Sequence, residues 1–122
     1  MFKLTAPSDE PVWLDLVAGV RIRVRPATVA AIVVAQAEAG KVFRADGADA
    51  DPDTGSKAGI AMVRSLARFA IVEWEGVGDE DSEPAAVTPQ NVEALMRVWP
   101  AYDAFDRRYA TPALSVSAEK NA

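Results

Sequence analysis

Two stretches of apolar–polar alternation lie back to back between Pro11 and Pro26, and they constrain the fold more than any other feature of the chain. Val12-Trp13-Leu14-Asp15-Leu16 and Val20-Arg21-Ile22-Arg23-Val24-Arg25 both repeat every second residue, the period of a strand with one buried face. The connection between them decides what faces what. A two-residue loop at Ala18-Gly19 would set Arg21, Arg23 and Arg25 opposite Leu16, Leu14 and Val12. A three-residue loop, Val17-Ala18-Gly19, pairs Leu16 with Val20, Leu14 with Ile22 and Val12 with Val24. It also sets Asp15 against Arg21 and Trp13 against Arg23. Loops of that length take a left-handed glycine at their third position, which is Gly19. The side chains therefore predict an N-terminal hairpin in the second register.

Helical spacing follows. Pro26 stops the strand and Thr28 can cap a helix whose apolar side carries Val29, Ile32, Val33 and Phe43, with alanines between them. Residues 45–56 are Asp, Gly and Ala around a proline and read as a flexible surface loop. Ser56 can cap a second helix over residues 60–74, in which Ile60, Val63, Leu66, Ala67, Ala70, Ile71 and Trp74 cover most of the circumference. That helix is expected to be central, with Gly76 and Gly78 ending it. Thr88-Pro89 reads as an N-cap followed by proline at the first helical position, and Val92, Leu95, Met96 and Trp99 follow at helical spacing. Pro100 should break the chain, Tyr102, Phe105 and Tyr109 continue the apolar stripe, and Thr111-Pro112 restarts a short turn. Residues 115–122 read as a frayed tail. The expectation is an α+β, mostly α, single domain over residues 1–122: an N-terminal β-hairpin packed on three to four helices.

Composition narrows the chemistry. The 122 residues contain neither histidine nor cysteine. Serine triads, cysteine nucleophiles and zinc sites are thereby excluded, and no disulfide framework exists. A net charge of −5 argues against a phosphate backbone as partner, so no nucleic acid is expected. No apolar run reaches the length of a membrane span, and the N-terminal residues lack the apolar core of a signal peptide, so no membrane association and a cytoplasmic location are expected. The chain is read as no enzyme, without cofactor.

The candidate constellations all have plain structural readings. Asp49, Asp51 and Asp53 open like a calcium loop, but Thr54 and Ile60 stand where the pattern needs glycine and glutamate, so a solvated loop is expected. The acidic run over residues 79–83 reads as a linker. Arg21, Arg23 and Arg25 share a strand face that could hold an acidic partner, or could ride on Asp15 and Trp13 and discourage edge pairing. Trp99, Tyr102, Phe105 and Tyr109 form an aromatic stripe that serves either as core or as an interface, and exposure decides between them.

From Trp74 onward the chain resembles a known family. Trp74-Glu75-Gly76-Val77-Gly78-Asp79-Glu80-Asp81, then Pro84, then Val87-Thr88-Pro89-Gln90-Asn91-Val92 and a short aliphatic helix, look like the phage tail assembly chaperones of long-tailed phages, prophages and gene transfer agents. The hairpin-Pro26-Thr28-helix opening and the closing Ala118-Glu119-Lys120-Asn121 are similar too. Ser82 departs from the pattern, standing where relatives often have glycine. The resemblance implies a chaperone that binds and solubilises the tape measure protein while the tail tube assembles, with the tube protein as a second candidate partner and self-association open. Such a protein would be missing from the mature particle. The rival expectations are a structural virion component, such as a tail terminator or head–tail connector, and a generic protein-binding module.

Overall fold

The computed structural model describes residues 1, 4, 8–47 and 52–120, with residues 116–120 in backbone only. The elements run β1 (Val12–Val17), β2 (Val20–Val24), α1 (Val29–Asp46), α2 (Thr54–Ala70), β3 (Ile71–Glu75), α3 (Pro89–Met96) and α4 (Trp99–Phe105), then a π-helical turn (Asp106–Ala110) and α5 (Thr111–Lys120). The architecture is α+β and mostly helical, opened by the hairpin that the alternation predicts. The sheet has a third strand, in the order β1-β2-β3 and antiparallel throughout. No helix among the described residues is long and apolar enough to cross a membrane.

The hairpin register is the one deduced from side chains as far as Asp15: Val12 pairs with Val24, Trp13 with Arg23, Leu14 with Ile22 and Asp15 with Arg21. Beyond Asp15 it differs. Val17 pairs with Val20, leaving Leu16 as the extra residue of a bulge, and Leu16 turns into the core. Gly19 takes the left-handed conformation, φ 79°.

The largest departure from the expected fold is at residues 71–75. The helix read over residues 60–74 ends at Ala70, and Ile71 passes straight into β3 beside β2. Arg21 pairs with Glu75, Ile22 with Trp74 and Arg23 with Glu73, but Val24 pairs with Ile71, so Val72 is bulged out of the ladder. That bulge lets Ile71 and Trp74, three residues apart, share the buried face. Three-residue spacing imitates a helix, which is why the strand reads as one. Gly76 consequently ends a strand rather than a helix, at φ 84°. A Cβ there would overlap the carbonyl oxygen of Gly19, so the two turns nest through their glycines.

Helix starts follow the side-chain chemistry, with two corrections. Thr28 Oγ1 accepts from Ala31 N at 3.1 Å, and Thr88 Oγ1 accepts from Asn91 N at 3.1 Å. α2 begins at Thr54 rather than after a Ser56 cap, and the Thr54 hydroxyl donates to Asp46 Oδ2 at 2.6 Å. The loop expected over residues 45–56 is thereby shortened at both ends, since α1 continues to Asp46. Pro100 does not break a helix but sits in the first turn of α4, where its missing N–H costs nothing. Pro112 lies inside a continuous helical run, where its ring would crowd the carbonyl four residues back. The π turn immediately before it widens the ladder, with Thr111 N bonding to Asp106 O. The tail expected to fray from Ser115 continues as α5 to Lys120, and residues 121–122 lie outside the described residues.

One cluster joins the sheet to the helices: Leu16, Ile22, Val24, Ile71 and Trp74 pack with Leu66 and Ala70 of α2, Val92 and Met96 of α3, and Phe105 of α4. Trp74 Nε1 donates to Ala85 O at 2.8 Å and Tyr109 Oη to Arg25 O at 2.7 Å, so both large amphipathic rings are buried with their polar ends satisfied. α1 enters this core chiefly through alanines, with Ile32, alone of the large residues expected there, packed partly buried against it. Ala31 and Ala35 are buried where α1 meets α2, whereas Val29, Val33 and Phe43, expected on its apolar side, are exposed.

Candidate functional site

The corner between α3 and α4 exposes two large apolar side chains beside hollows in the surface. α3 stops at Met96, Arg97 and Val98 turn the chain, and α4 restarts at Trp99. Trp99 is 70% exposed and Val98 52%. The indole stacks on Tyr102 with ring centroids 6.1 Å apart. Beneath it is a depression of about 240 Å³ lined by Ile60 and Arg64 of α2, Met96, Arg97, Trp99 and Tyr102. On the other side of α3 lies a second hollow of about 390 Å³, whose lining includes Val77, Ala85, Leu95 and Val98. An exposed aromatic flanked by apolar hollows is the form of a surface that accepts side chains from another protein.

The aromatic stripe read from the sequence is split by this geometry. Trp99 is at the surface and Tyr102 is half-buried, with burial, and secondarily Asp106, raising its hydroxyl pKa. Phe105 and Tyr109 are core, which corrects their candidacy as partner-binding residues. Phe105 has no exposed surface and stacks on Tyr109 at 5.0 Å. Burial pushes the Tyr109 phenol up to about 12.

The three arginines of the hairpin are engaged within the fold. Arg21 donates to both carboxylate oxygens of Glu75, at 2.6 and 2.9 Å, and its guanidinium lies 4.2 Å from the Trp13 ring centre. The hydrogen bond from Arg21 holds the Glu75 carboxyl below its ordinary value. Arg23 pairs with Glu73 at 3.4 Å. Arg25 donates to the Phe69 carbonyl and lies 4.3 Å over its ring. Asp15 and Trp13 stand opposite Arg21 and Arg23 as the register requires, but the carboxylates that pair with Arg21 and Arg23 come from β3. The arginine face is therefore a surface ladder paired within the fold rather than a set of free cations, as in the reading that has Arg21, Arg23 and Arg25 ride on the protein's own groups. A depression of about 460 Å³ beside it has a mixed wall, with Leu16, Val17 and Val20 next to the paired Arg21 and Glu75 and with Arg108 donating to the Asp15 carbonyl.

The residues that carry the family resemblance have structural duties. Trp74 anchors the core, Gly76 nests against the hairpin turn, and Ala85 N returns to Val77 O at 2.9 Å to close the loop between β3 and α3. Within that loop the Asp79 carboxylate accepts from Asp81 N and Glu83 N, at 2.9 and 3.0 Å, so its lone pairs shape the turn. Ser82 is the one non-glycine residue at positive φ among the described residues, at 61°.

Asp49 and Asp51 lie outside the described residues, and among those described no cluster of carboxylates could hold a metal ion. Sequence reasoning missed Arg64 and Arg97 at the corner and assigned Ile60 to the interior, where it is in fact exposed; Met96 is core and lines the depression from below. Arg64 carried a signal: it is a lone cation within the apolar run Met62-Val63-Arg64-Ser65-Leu66. Against known family models, curated proteins and solved structures, no match to the chain is found.

Proposed function

We propose that the chain is a tail assembly chaperone of a phage, prophage or gene transfer agent, acting by binding rather than catalysis and holding the tape measure protein soluble until the tail tube forms around it. The observation that carries this reading is Trp99, 70% exposed on a helical corner between two apolar hollows. A protein that must cover and later release apolar helical surface needs such a groove, shallow enough for reversible contact. Ser82 supports the family resemblance from a separate direction. The position where relatives often have glycine is the one at which this backbone takes a left-handed conformation.

The test is co-expression with the tape measure protein from the same tail gene cluster. The wild-type chain should bring it into the soluble fraction and co-purify with it, and should be missing from purified particles. Trp99→Ala should weaken the complex by about 2 kcal/mol, or roughly 30-fold, as loss of a central aromatic anchor does, while the variant stays folded. A wild-type chain that leaves the tape measure protein insoluble and is found in finished particles would make it a structural virion component instead.

A further inference from the structure

The depression under Trp99 has a polarity that its apolar walls conceal. No carboxylate lines it, although the whole chain carries 18 acidic against 13 basic residues. Two arginines do line it, and neither the Arg64 nor the Arg97 side chain makes a hydrogen bond or ion pair among the described residues. Of the acids on neighbouring elements, Glu93 pairs with Arg68 at 3.1 Å and Asp103 with Arg107 at 3.1 Å, while Asp106 accepts from the Thr111 hydroxyl at 3.2 Å and is felt at Tyr102 without lining the depression. Arg64 is the more telling of the two, because its Nε is buried without any hydrogen-bond partner. A buried guanidinium N–H left unpaired is costly, and a charged acceptor satisfies it best. Arg23 Nε is buried without a partner too, but the Arg23 guanidinium pairs with Glu73 through its Nη1, whereas no group of the Arg64 guanidinium meets a carboxylate among the described residues; beside an exposed tryptophan, that marks a place completed from outside.

We infer that this depression is a recognition pocket for an acidic amphipathic helix of a partner protein, with a large aliphatic side chain of the partner seated between Ile60, Met96 and Trp99 and a carboxylate one turn away received by Arg64. Charge complementarity selects the occupant. A basic helix would meet two unpaired guanidinium groups, and a neutral one would offer Arg64 only the weaker bond of an uncharged acceptor. The inference rests on the chaperone reading for the partner's identity, since it specifies which helical segments of the tape measure protein would dock. Arg97, exposed at the rim, steers the same charge without being buried by it.

The test separates the two claims by using defined probes. Three fluorescently labelled helical peptides share one leucine seam and differ only in flanking residues, carrying glutamate, glutamine or lysine. Fluorescence anisotropy with the full chain should rank glutamate above glutamine above lysine, with about tenfold between the extremes. Arg64→Met, which keeps the aliphatic stem, should abolish the ranking while circular dichroism shows the domain still folded. Arg64→Lys should restore part of it, and Trp99→Ala should weaken all three peptides alike. Equal binding of the three peptides, binding of none, or a ranking that survives in Arg64→Met would overturn the inference. Failure to solubilise the tape measure protein, by contrast, overturns the chaperone reading whatever the peptides show.

Discussion

Phe105 and Trp99 belong to the same aromatic stripe, and truncating each to alanine should separate what the stripe does. Phe105 has no exposed surface, sits in the cluster that joins sheet to helices, and stacks on Tyr109 at 5.0 Å. Phe105→Ala therefore loses the transfer free energy of a whole ring, the aromatic pair and the packing around the void, typically about 3–5 kcal/mol in all. A chain of 122 residues has a total stability on the order of 6–18 kcal/mol, so that loss is a large share of it. In melting temperature it amounts to about 10–20 °C. Trp99 offers a contrast. With 70% of its surface already in water, it can lose little beyond its stack on Tyr102, about 0.5–1 kcal/mol. Urea unfolding followed by far-ultraviolet circular dichroism, which does not depend on the tryptophan removed, gives both midpoints. If the two variants lose equal stability, Trp99 is packed rather than exposed, and the corner is not a free surface.

Three further outcomes follow from backbone and protonation. Ser82→Gly relieves a left-handed residue at φ 61° and should leave the protein about 0.5 kcal/mol more stable, the relief slightly exceeding the added chain entropy; a drop in urea midpoint would argue against the left-handed turn. Gly76→Ala faces both a positive φ and the Gly19 carbonyl, which is backbone and cannot step aside, so a loss of at least about 2–3 kcal/mol is expected, and a neutral result would refute the nesting of the two turns. The Tyr109 phenol, raised by burial to about 12, should ionise late in an ultraviolet titration. Because the folded value lies above the value of about 10 in an unfolded chain, its contribution to stability is complete below pH of about 10 and is lost as pH rises to about 12. Ionisation of both tyrosines near pH of about 10 would contradict the burial.

Local chemistry was legible in this sequence, and features created by packing were not. The hairpin register could be deduced because one choice buried charged residues and the other paired them. The caps at Thr28 and Thr88 could be read because hydroxyl-to-backbone bonds depend on three neighbouring residues. β3 was hidden by its own bulge: Ile71 and Trp74 at three-residue spacing carry a helical signature while lying on a sheet. In α1 the alanines read correctly as small residues that let another helix approach closely, but the large residues between them do not share that face. Close approach of α1 and α2 is possible only where Ala31 and Ala35 meet the neighbouring helix, which turns Val29, Val33 and Phe43 outward. At the candidate site, Trp99 was singled out by type, but the partners that make it a pocket come from α2, some 35 residues earlier, and no local pattern links Arg64 to Arg97.

The position of β2 between a near neighbour and a distant one has a consequence for how quickly the sheet assembles. Pairing with β1 closes a loop of a few residues, whereas pairing with β3 joins Arg21 to Glu75, 54 residues along the chain. Loop-closure entropy rises by about 0.6 kcal/mol per doubling, so the second pairing costs about 2 kcal/mol more than the first. α1 and α2 offset much of that cost. They form an antiparallel pair of local origin that folds the intervening chain back on itself, and because Ile71 follows Ala70 without a linker, the end of α2 delivers β3 to the hairpin. The helical pair should therefore form before the sheet is complete. Substitutions at the α1–α2 contact, Ala35→Gly for example, should slow refolding, while Val72→Ala on the bulge of β3 should chiefly speed unfolding.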